Sequence, residues 1–348
     1  MSSDTFHTTR EASTERKEFY SRLMRKNVAP FWEVASDLIF TAPRPACVPA
    51  LWRYEEIRPI LFEGGKLITT EEAERRVLLL ENPGLRGRFQ ITGSLYAGLQ
   101  LLLPGEVAPN HRHTACALRF VIEGRGAYTA VNGERTMMEP GDFILTPSWT
   151  FHEHGNPGHE AVVWMDGLDI PTVNFFDASF ADHYSAKAQL VERPEGDALA
   201  RYGNNMVPCE YRPSSLSAPV FTYPYARSRD ALHRLLRDGS VDPRHGIKLQ
   251  YINPTTGGYP MPTIAAFLQL LPKGFSGLST RTTDSTVYCA VEGRGSSTVG
   301  EKTFQWSSRD IFVVPSWAPV SHQVEEESVL FSFSDRAAQK ALGFWREE

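Results

Sequence analysis

Two periodicities divide the chain. From Thr14 to about Val34 the stretch TERKEFYSRLMRKNVAPFWEV sets Phe19, Leu23 and Val28 at helical spacing. A second helix is predicted from Thr70, with Glu71 and Glu72 in its first turn, to Leu80, and Asn82-Pro83-Gly84 stops it. The period then falls to two. ITGSLYAGLQLLLPG, ALRFVIEG, GAYTAV and TMMEPGDFILTPSW are short strand-like runs cut by Gly, Pro and Asn. From about Asp169 to Pro262 the pattern is irregular and rich in Pro, Tyr and Asn, with one helix predicted over 228–238. The strand pattern returns from Thr263 as IAAFLQLLPKG, STVYCAVEG, GSSTVG and RDIFVVPSW.

The two strand-rich regions repeat each other. Leu101-Leu102-Leu103-Pro104-Gly105 matches Leu270-Leu271-Pro272-Lys273-Gly274, and Val121-Ile122-Glu123-Gly124-Arg125-Gly126 matches Ala290-Val291-Glu292-Gly293-Arg294-Gly295. Asp142-Phe143-Ile144-Leu145-Thr146-Pro147-Ser148-Trp149 matches Asp310-Ile311-Phe312-Val313-Val314-Pro315-Ser316-Trp317. The offset is 169 residues from Glu123 to Glu292 and 168 from Pro147 to Pro315, so one residue is lost in between. Three blocks in one order imply a duplicated antiparallel barrel. The expected organisation is mainly β: 1–85 an N-terminal helical segment, 86–168 the first barrel, 169–262 a connecting region and 263–348 the second barrel.

Composition narrows the function classes. In 348 residues, 36 Lys+Arg stand against 41 Asp+Glu, and no block of five like charges occurs, which argues against a nucleic-acid or membrane-surface partner. Cys47, Cys116, Cys209 and Cys289 are scattered without a CxxC pair, so neither a disulfide framework nor a thiolate zinc site is expected. The N-terminal stretch is polar and no apolar run is long enough to span a bilayer. A soluble, cytoplasmic protein is expected.

The candidate chemistry lies in the first repeat. In His111-Arg112-His113 strand alternation turns both imidazoles to one face and Arg112 to the other. His152, just past the Pro147-Ser148-Trp149 turn, supplies a third ligand from a neighbouring strand. Gly105, His111-x-His113, Gly141, Pro147, His152 and Asn156 together resemble the paired motifs of the cupin superfamily, small barrels that hold a metal on strand histidines. Two departures stand out. The places of the motif's metal-binding Glu hold Ala117 and Leu118, so the shell is three histidines without a carboxylate; and Trp149 replaces a motif Gly, which puts the shape of that turn in question. In the second repeat Thr280, Thr282 and Val320 fall at the three ligand places, so one metal per chain is expected. Imidazole ligands suit Zn, Cu, Fe or Ni, and three neutral ligands leave a divalent ion its charge and open positions for an anionic chelate and dioxygen.

The segments Ala108-Pro109-Asn110-His111-Arg112-His113-Thr114, Ala117-Leu118-Arg119-Phe120-Val121-Ile122-Glu123-Gly124 and Trp149-Thr150-Phe151-His152-Glu153-His154-Gly155-Asn156 resemble the gentisate 1,2-dioxygenase family. Its relatives cleave salicylate or 1-hydroxy-2-naphthoate. The likeness covers nearly the whole chain. It implies a bicupin of two double-stranded β-helix (jelly-roll) barrels, the second metal-free, and a non-haem Fe(II) enzyme of aromatic catabolism. Such an enzyme chelates an aromatic ortho-hydroxycarboxylate, takes O2, and breaks the ring bond between the two substituted carbons, giving maleylpyruvate from gentisate. It also implies a homo-oligomer, a tetramer. Rival expectations are the same chemistry on salicylate, a 5-substituted salicylate or 1-hydroxy-2-naphthoate, and a non-catalytic metal-bound bicupin.

The remaining candidates surround the triad. Arg119 sits in an otherwise apolar strand and needs an anion, either the substrate carboxylate or a protein carboxylate. His154, two residues past His152, is either a surface-loop histidine or, by the family's example, a hydrogen-bond partner of substrate hydroxyl or oxygen with acid/base work. Asp166 has three readings: orienting His154, contacting the ring's distal hydroxyl, or capping a turn before Gly167. Tyr96, Gly98 and Gln100 alternate on one strand, offering a phenol, a gap with room for ring substituents, and an amide, or else plain core filling. The family brings an N-terminal Arg to the substrate carboxylate, and either Arg75 or Arg76 would be it. His7, His159, His183, His233, His245 and His322 lack a partner at ligand spacing and are read as structural or exposed.

Overall fold

Alternation in the chain is realised as paired strands. The computed structural model describes residues 13–348 except 185, 187 and 238; His7 and the last residue of the helix predicted over 228–238 lie outside the described residues.

Residues 13–44 form one unit. It contains two helices rather than one continuous run, Thr14–Met24 and Phe31–Leu38, because Asn27 takes a left-handed φ of 55° and Pro30 follows. Ser13 caps the first helix through Arg16 N, and Arg16 and Tyr20 both bond the Glu33 carboxylate.

The rest of the chain, from Pro45, holds both barrels. The first contributes a six-stranded sheet in the order Thr222–Tyr223, Phe143–Thr146, Ala117–Glu123, Val162–Leu168, Tyr96–Leu102, Val77–Leu79. The second repeats that order with Ala50–Trp52, Ile311–Val314, Thr286–Glu292, Ser328–Ser334, Ala265–Leu271 and Ile247–Gln250. Each barrel is completed by a smaller sheet: Ala181–His183, Val107–His113, His152–Gly155, Tyr128–Val131 and Glu134–Met137 in the first, Lys302–Ser307, Arg294–Val299 and Val320–Gln323 in the second. Because successive residues face opposite sides of a strand, one face of each large sheet lines its own barrel and the other packs in a shared core. Leu99, Leu118 and Phe120 of the first barrel meet Leu268, Phe331 and Phe333 of the second there, and the Phe120 and Phe331 rings stack at 4.1 Å.

The structure corrects three local expectations. The capping box of Thr69 and Glu72 starts a helix, but it spans only Thr70–Ala73. Glu74 turns to φ 53°, and Val77–Leu79 becomes a strand paired with Gly98–Gln100, since a barrel edge beside three apolar residues gives them both burial and a ladder. Within the irregular middle region, Ala181–His183 pairs with His111–His113. The helix predicted over 228–238 begins earlier and covers Tyr225–Arg237. As for the turn at Trp149, it keeps a glycine-like shape: Trp149 takes φ 58° and its repeat partner Trp317 φ 63°, each beneath an arginine, Arg112 at 4.4 Å and Arg281 at 4.9 Å.

Candidate active site

The ladder between Val107–His113 and His152–Gly155 sets His111 opposite His152, with a bulge between Ala108 and His111. His113 completes the group: ring centroids lie 4.4 to 5.2 Å apart, and one ligand nitrogen from each ring falls within 4.8 Å of the others. Each Nδ1 faces a carbonyl two residues along the chain, Pro109 O at 3.3 Å for His111, Ala115 O at 2.8 Å for His113 and Thr150 O at 3.0 Å for His152. A carbonyl only accepts, so these contacts favour a proton on Nδ1 and a lone pair on Nε2, the form in which histidine ligates a metal. Burial holds all three neutral, pulling His111 down to about 3, His113 to about 4 and His152 well below its ordinary value. The donor set therefore fits a divalent transition metal. Arg112 points away, paired with Asp182 at 2.8 Å.

Above the triad the pocket is cationic. Arg119 is 3% exposed; its Nη1 donates to Thr146 Oγ1 at 2.7 Å, while its Nε has no hydrogen-bond partner. The nearest carboxylate, Asp166, lies 3.7 Å from that Nε and accepts a hydrogen bond from Trp164 Nε1 at 3.0 Å. Burial pushes Asp166 up to about 6 and Arg119 down to about 10. Arg75, rather than Arg76, turns to the triad: its Nη2 is 2.5 Å from both Pro109 O and His111 Nδ1. A guanidinium only donates, so this contact and a proton on His111 Nδ1 exclude each other; ligation through Nε2 would settle the proton on Nδ1 and leave Arg75 to Pro109 and the pocket. Burial and the neighbouring Arg119 lower Arg75 to about 9, and among the described residues no carboxylate is within ion-pair distance of it. Arg76 is tied elsewhere, to the Glu106 carboxylate and to Ile68 O at 3.0 Å.

His154 is 1% exposed, which removes the surface-loop reading. Its Nδ1 lies 3.0 Å from Thr129 Oγ1 and its Nε2 has no partner. Asp166 therefore does not orient His154; Thr129, opposite it in the ladder, does. Tyr96, Gly98 and Gln100 share the face that carries Asp166, and the Asp166 charge, after burial, helps hold the Tyr96 phenol protonated. The gap expected at Gly98 is filled from the next strand: a Cβ there would meet Val77 Cγ1 at 2.5 Å and Tyr96 OH at 3.3 Å. Gln100 pairs with Val77 and Trp164 in the ladders and makes no hydrogen bond to the triad, Arg119 or Asp166. Thr129, Thr146 and Trp164 were not legible as site residues, since only strand pairing brings them there. In the second barrel Thr280, Thr282 and Val320 occupy the ligand places, and His322 is buried against Ser297. No described helix is long and apolar enough to cross a membrane.

Comparison with known proteins agrees with this geometry. A cupin-domain family model matches residues 98–170. The chain is 55% identical over 333 residues to gentisate 1,2 dioxygenase 1 of Aquipseudomonas alcaligenes, covering 96% of each, and 36% identical to 5-aminosalicylate 1,2-dioxygenase of Comamonas sp, covering 96% of this chain and 90% of that one. Salicylate 1,2-dioxygenase from Pseudaminobacter salicylatoxidans superposes with a TM-score of 0.91 at 33% identity, over 97% of this chain and 99% of the other.

Proposed function

The chain belongs to the gentisate 1,2-dioxygenase family of ring-cleaving cupin enzymes, and from that premise we propose that it holds one Fe(II) on His111, His113 and His152 and converts gentisate and O2 to maleylpyruvate. Bound iron would supply two-point chelation of the substrate's hydroxyl and carboxylate and a redox centre for dioxygen. The observation that carries the substrate class is a charge imbalance: of two guanidiniums beside the triad, the buried Arg119 has one carboxylate near it, Asp166 at 3.7 Å, and the half-buried Arg75 has none within ion-pair distance among the described residues. A buried cation without its anion is costly, and a substrate carboxylate restores the balance beside the triad.

The chain's own groups then divide the work. Arg119 and Arg75 orient the carboxylate. His154 Nε2 receives a substrate hydroxyl, and Tyr96 with Asp166 forms a polar receiver for the second hydroxyl of gentisate. Trp164 packs against the His154 ring at 5.2 Å and excludes water from its face. The large identity to a gentisate enzyme favours gentisate over salicylate, 5-aminosalicylate or 1-hydroxy-2-naphthoate. A cytoplasmic homo-oligomer, expected to be a tetramer, belongs to the same reading, and light scattering measures its mass. Metal analysis of freshly purified protein together with oxygen uptake on the four acids tests it. Equal or faster turnover of a monohydroxy acid would move the assignment to that acid, and full metal loading without uptake on any of them would favour a non-catalytic bicupin.

A further inference from the structure

The protons along one short chain of contacts decide which nitrogen of His154 carries the ring proton. His154 Nδ1 is 3.0 Å from Thr129 Oγ1, and the Thr129 hydroxyl is 3.4 Å from Met138 Sδ; Thr129 and Met138 are fully buried. With the ring proton on Nδ1, two hydrogen bonds form, N–H to Oγ1 and O–H to sulfur, and a lone pair on Nε2 is all that is left over. With the proton on Nε2, Thr129 must donate to Nδ1. The sulfur then loses its donor, and a buried N–H is stranded in the pocket, the costlier orphan.

The second barrel carries the contrasting case in the same register. Ser297 lies opposite His322 as Thr129 lies opposite His154, with Oγ to Nδ1 at 2.8 Å. The residue corresponding to Met138, 168 positions on, is Trp306, whose Nε1 donates to Ser297 Oγ at 2.9 Å. An indole N–H has no acceptor role, so the Ser297 proton goes to His322 Nδ1 and the ring proton to Nε2. An acceptor at 138 and a donor at 306 thus select opposite tautomers of two equivalent histidines.

We infer that Thr129 and Met138 are positioning residues that hold His154 as a hydrogen-bond acceptor toward the pocket, so that the bound aromatic acid must offer a hydroxyl proton there. This rests on the proposed substrate class and deepens it.

Neutron diffraction from the zinc-loaded full chain, with kinetics of the iron-loaded chain on gentisate, tests the inference. The deuteron is expected on His154 Nδ1 in the parent and on Nε2 in Met138→Leu, a volume-conserving change. Met138→Leu and Thr129→Val should lose about tenfold in kcat/KM, the value of one neutral hydrogen bond, with metal content unchanged. Thr129→Ser, which keeps the hydroxyl, should stay within about threefold of the parent. A parent deuteron on Nε2 overturns the inference even if no variant folds, as does a Met138→Leu protein with parental kcat/KM. A parent deuteron on Nδ1 in a protein that does not turn over gentisate would overturn the substrate reading and leave the tautomer assignment standing.

Discussion

Replacing Arg119 by lysine keeps one positive charge and removes the planar fork. In the parent, Nη1 is held by Thr146 Oγ1 at 2.7 Å and Nε is unpaired, with Asp166 3.7 Å away, so the guanidinium has donors in reserve for a ligand. A hydrogen bond to a charged group contributes about 1.5–3 kcal/mol, and a lysine at this depth would form one fewer of them to a carboxylate. The expected loss in kcat/KM is therefore roughly 10- to 150-fold. A second signature separates this from a general loss of fit. A buried ammonium deprotonates far more readily than a guanidinium, so the deficit of Arg119→Lys should widen as pH rises. The assay is oxygen uptake against gentisate concentration at several pH values, with iron content measured on the same samples. Parental kcat/KM with full iron would show that the carboxylate is held elsewhere, and loss of iron would make Arg119 a support of the metal rather than of the substrate.

Other perturbations read other parts of the molecule. His113→Ala should abolish metal binding, whereas Thr282→Ala, at the matching place of the second barrel, should leave it at the parent level; plasma emission spectrometry decides. Gly98→Ala places a methyl 2.5 Å from Val77 Cγ1 and should lower stability by about 1–3 kcal/mol in a thermal melt, with Val77→Ala restoring part of it. Phe331→Ala, which removes the ring stacked on Phe120 between the barrels, should cost about 3–5 kcal/mol in denaturant unfolding without changing iron content. Asp335, an acceptor for Ser94 Oγ at 2.7 Å and Ser285 N at 2.9 Å, is raised to about 6 by burial. The folded state thus holds its proton more tightly than the unfolded chain. The destabilisation is full above that pH, fades as pH falls through it, and is gone below the ordinary carboxylate range. The melting temperature of the parent should therefore rise relative to Asp335→Asn between pH 7.5 and pH 5, and parallel curves would refute the assignment.

The barrels were legible because alternation and the repeat are properties of local sequence. His111 and His113 were legible for the same reason, since two residues apart on a strand means one face. What depended on pairing was not. Arg75 and Arg76 are adjacent and chemically alike, and only the strand at Val77–Leu79 decides that Arg76 meets Glu106 while Arg75 enters the pocket. Thr129 reaches His154 through a ladder contact between distant segments, which a single sequence does not specify. The glycine at 98 suggested free space, but a neighbouring strand brings Val77 into it. At position 149 the fold overrode residue preference: a left-handed tryptophan costs about 1–2 kcal/mol relative to glycine, and the Arg112 guanidinium over its ring offsets part of that.

Cleavage of the gentisate ring by iron held on the three histidines can be read from the stoichiometry of a single reaction. Protein loaded anaerobically with Fe(II) is given a limiting amount of gentisate in an oxygen electrode, and the product is identified by mass spectrometry. One O2 should be consumed per gentisate, giving a product that carries both oxygen atoms, maleylpyruvate, with no uptake by the His113→Ala protein. Gentisate left intact by fully iron-loaded enzyme, or oxygen consumed with release of hydrogen peroxide and an unbroken ring, would contradict that reading.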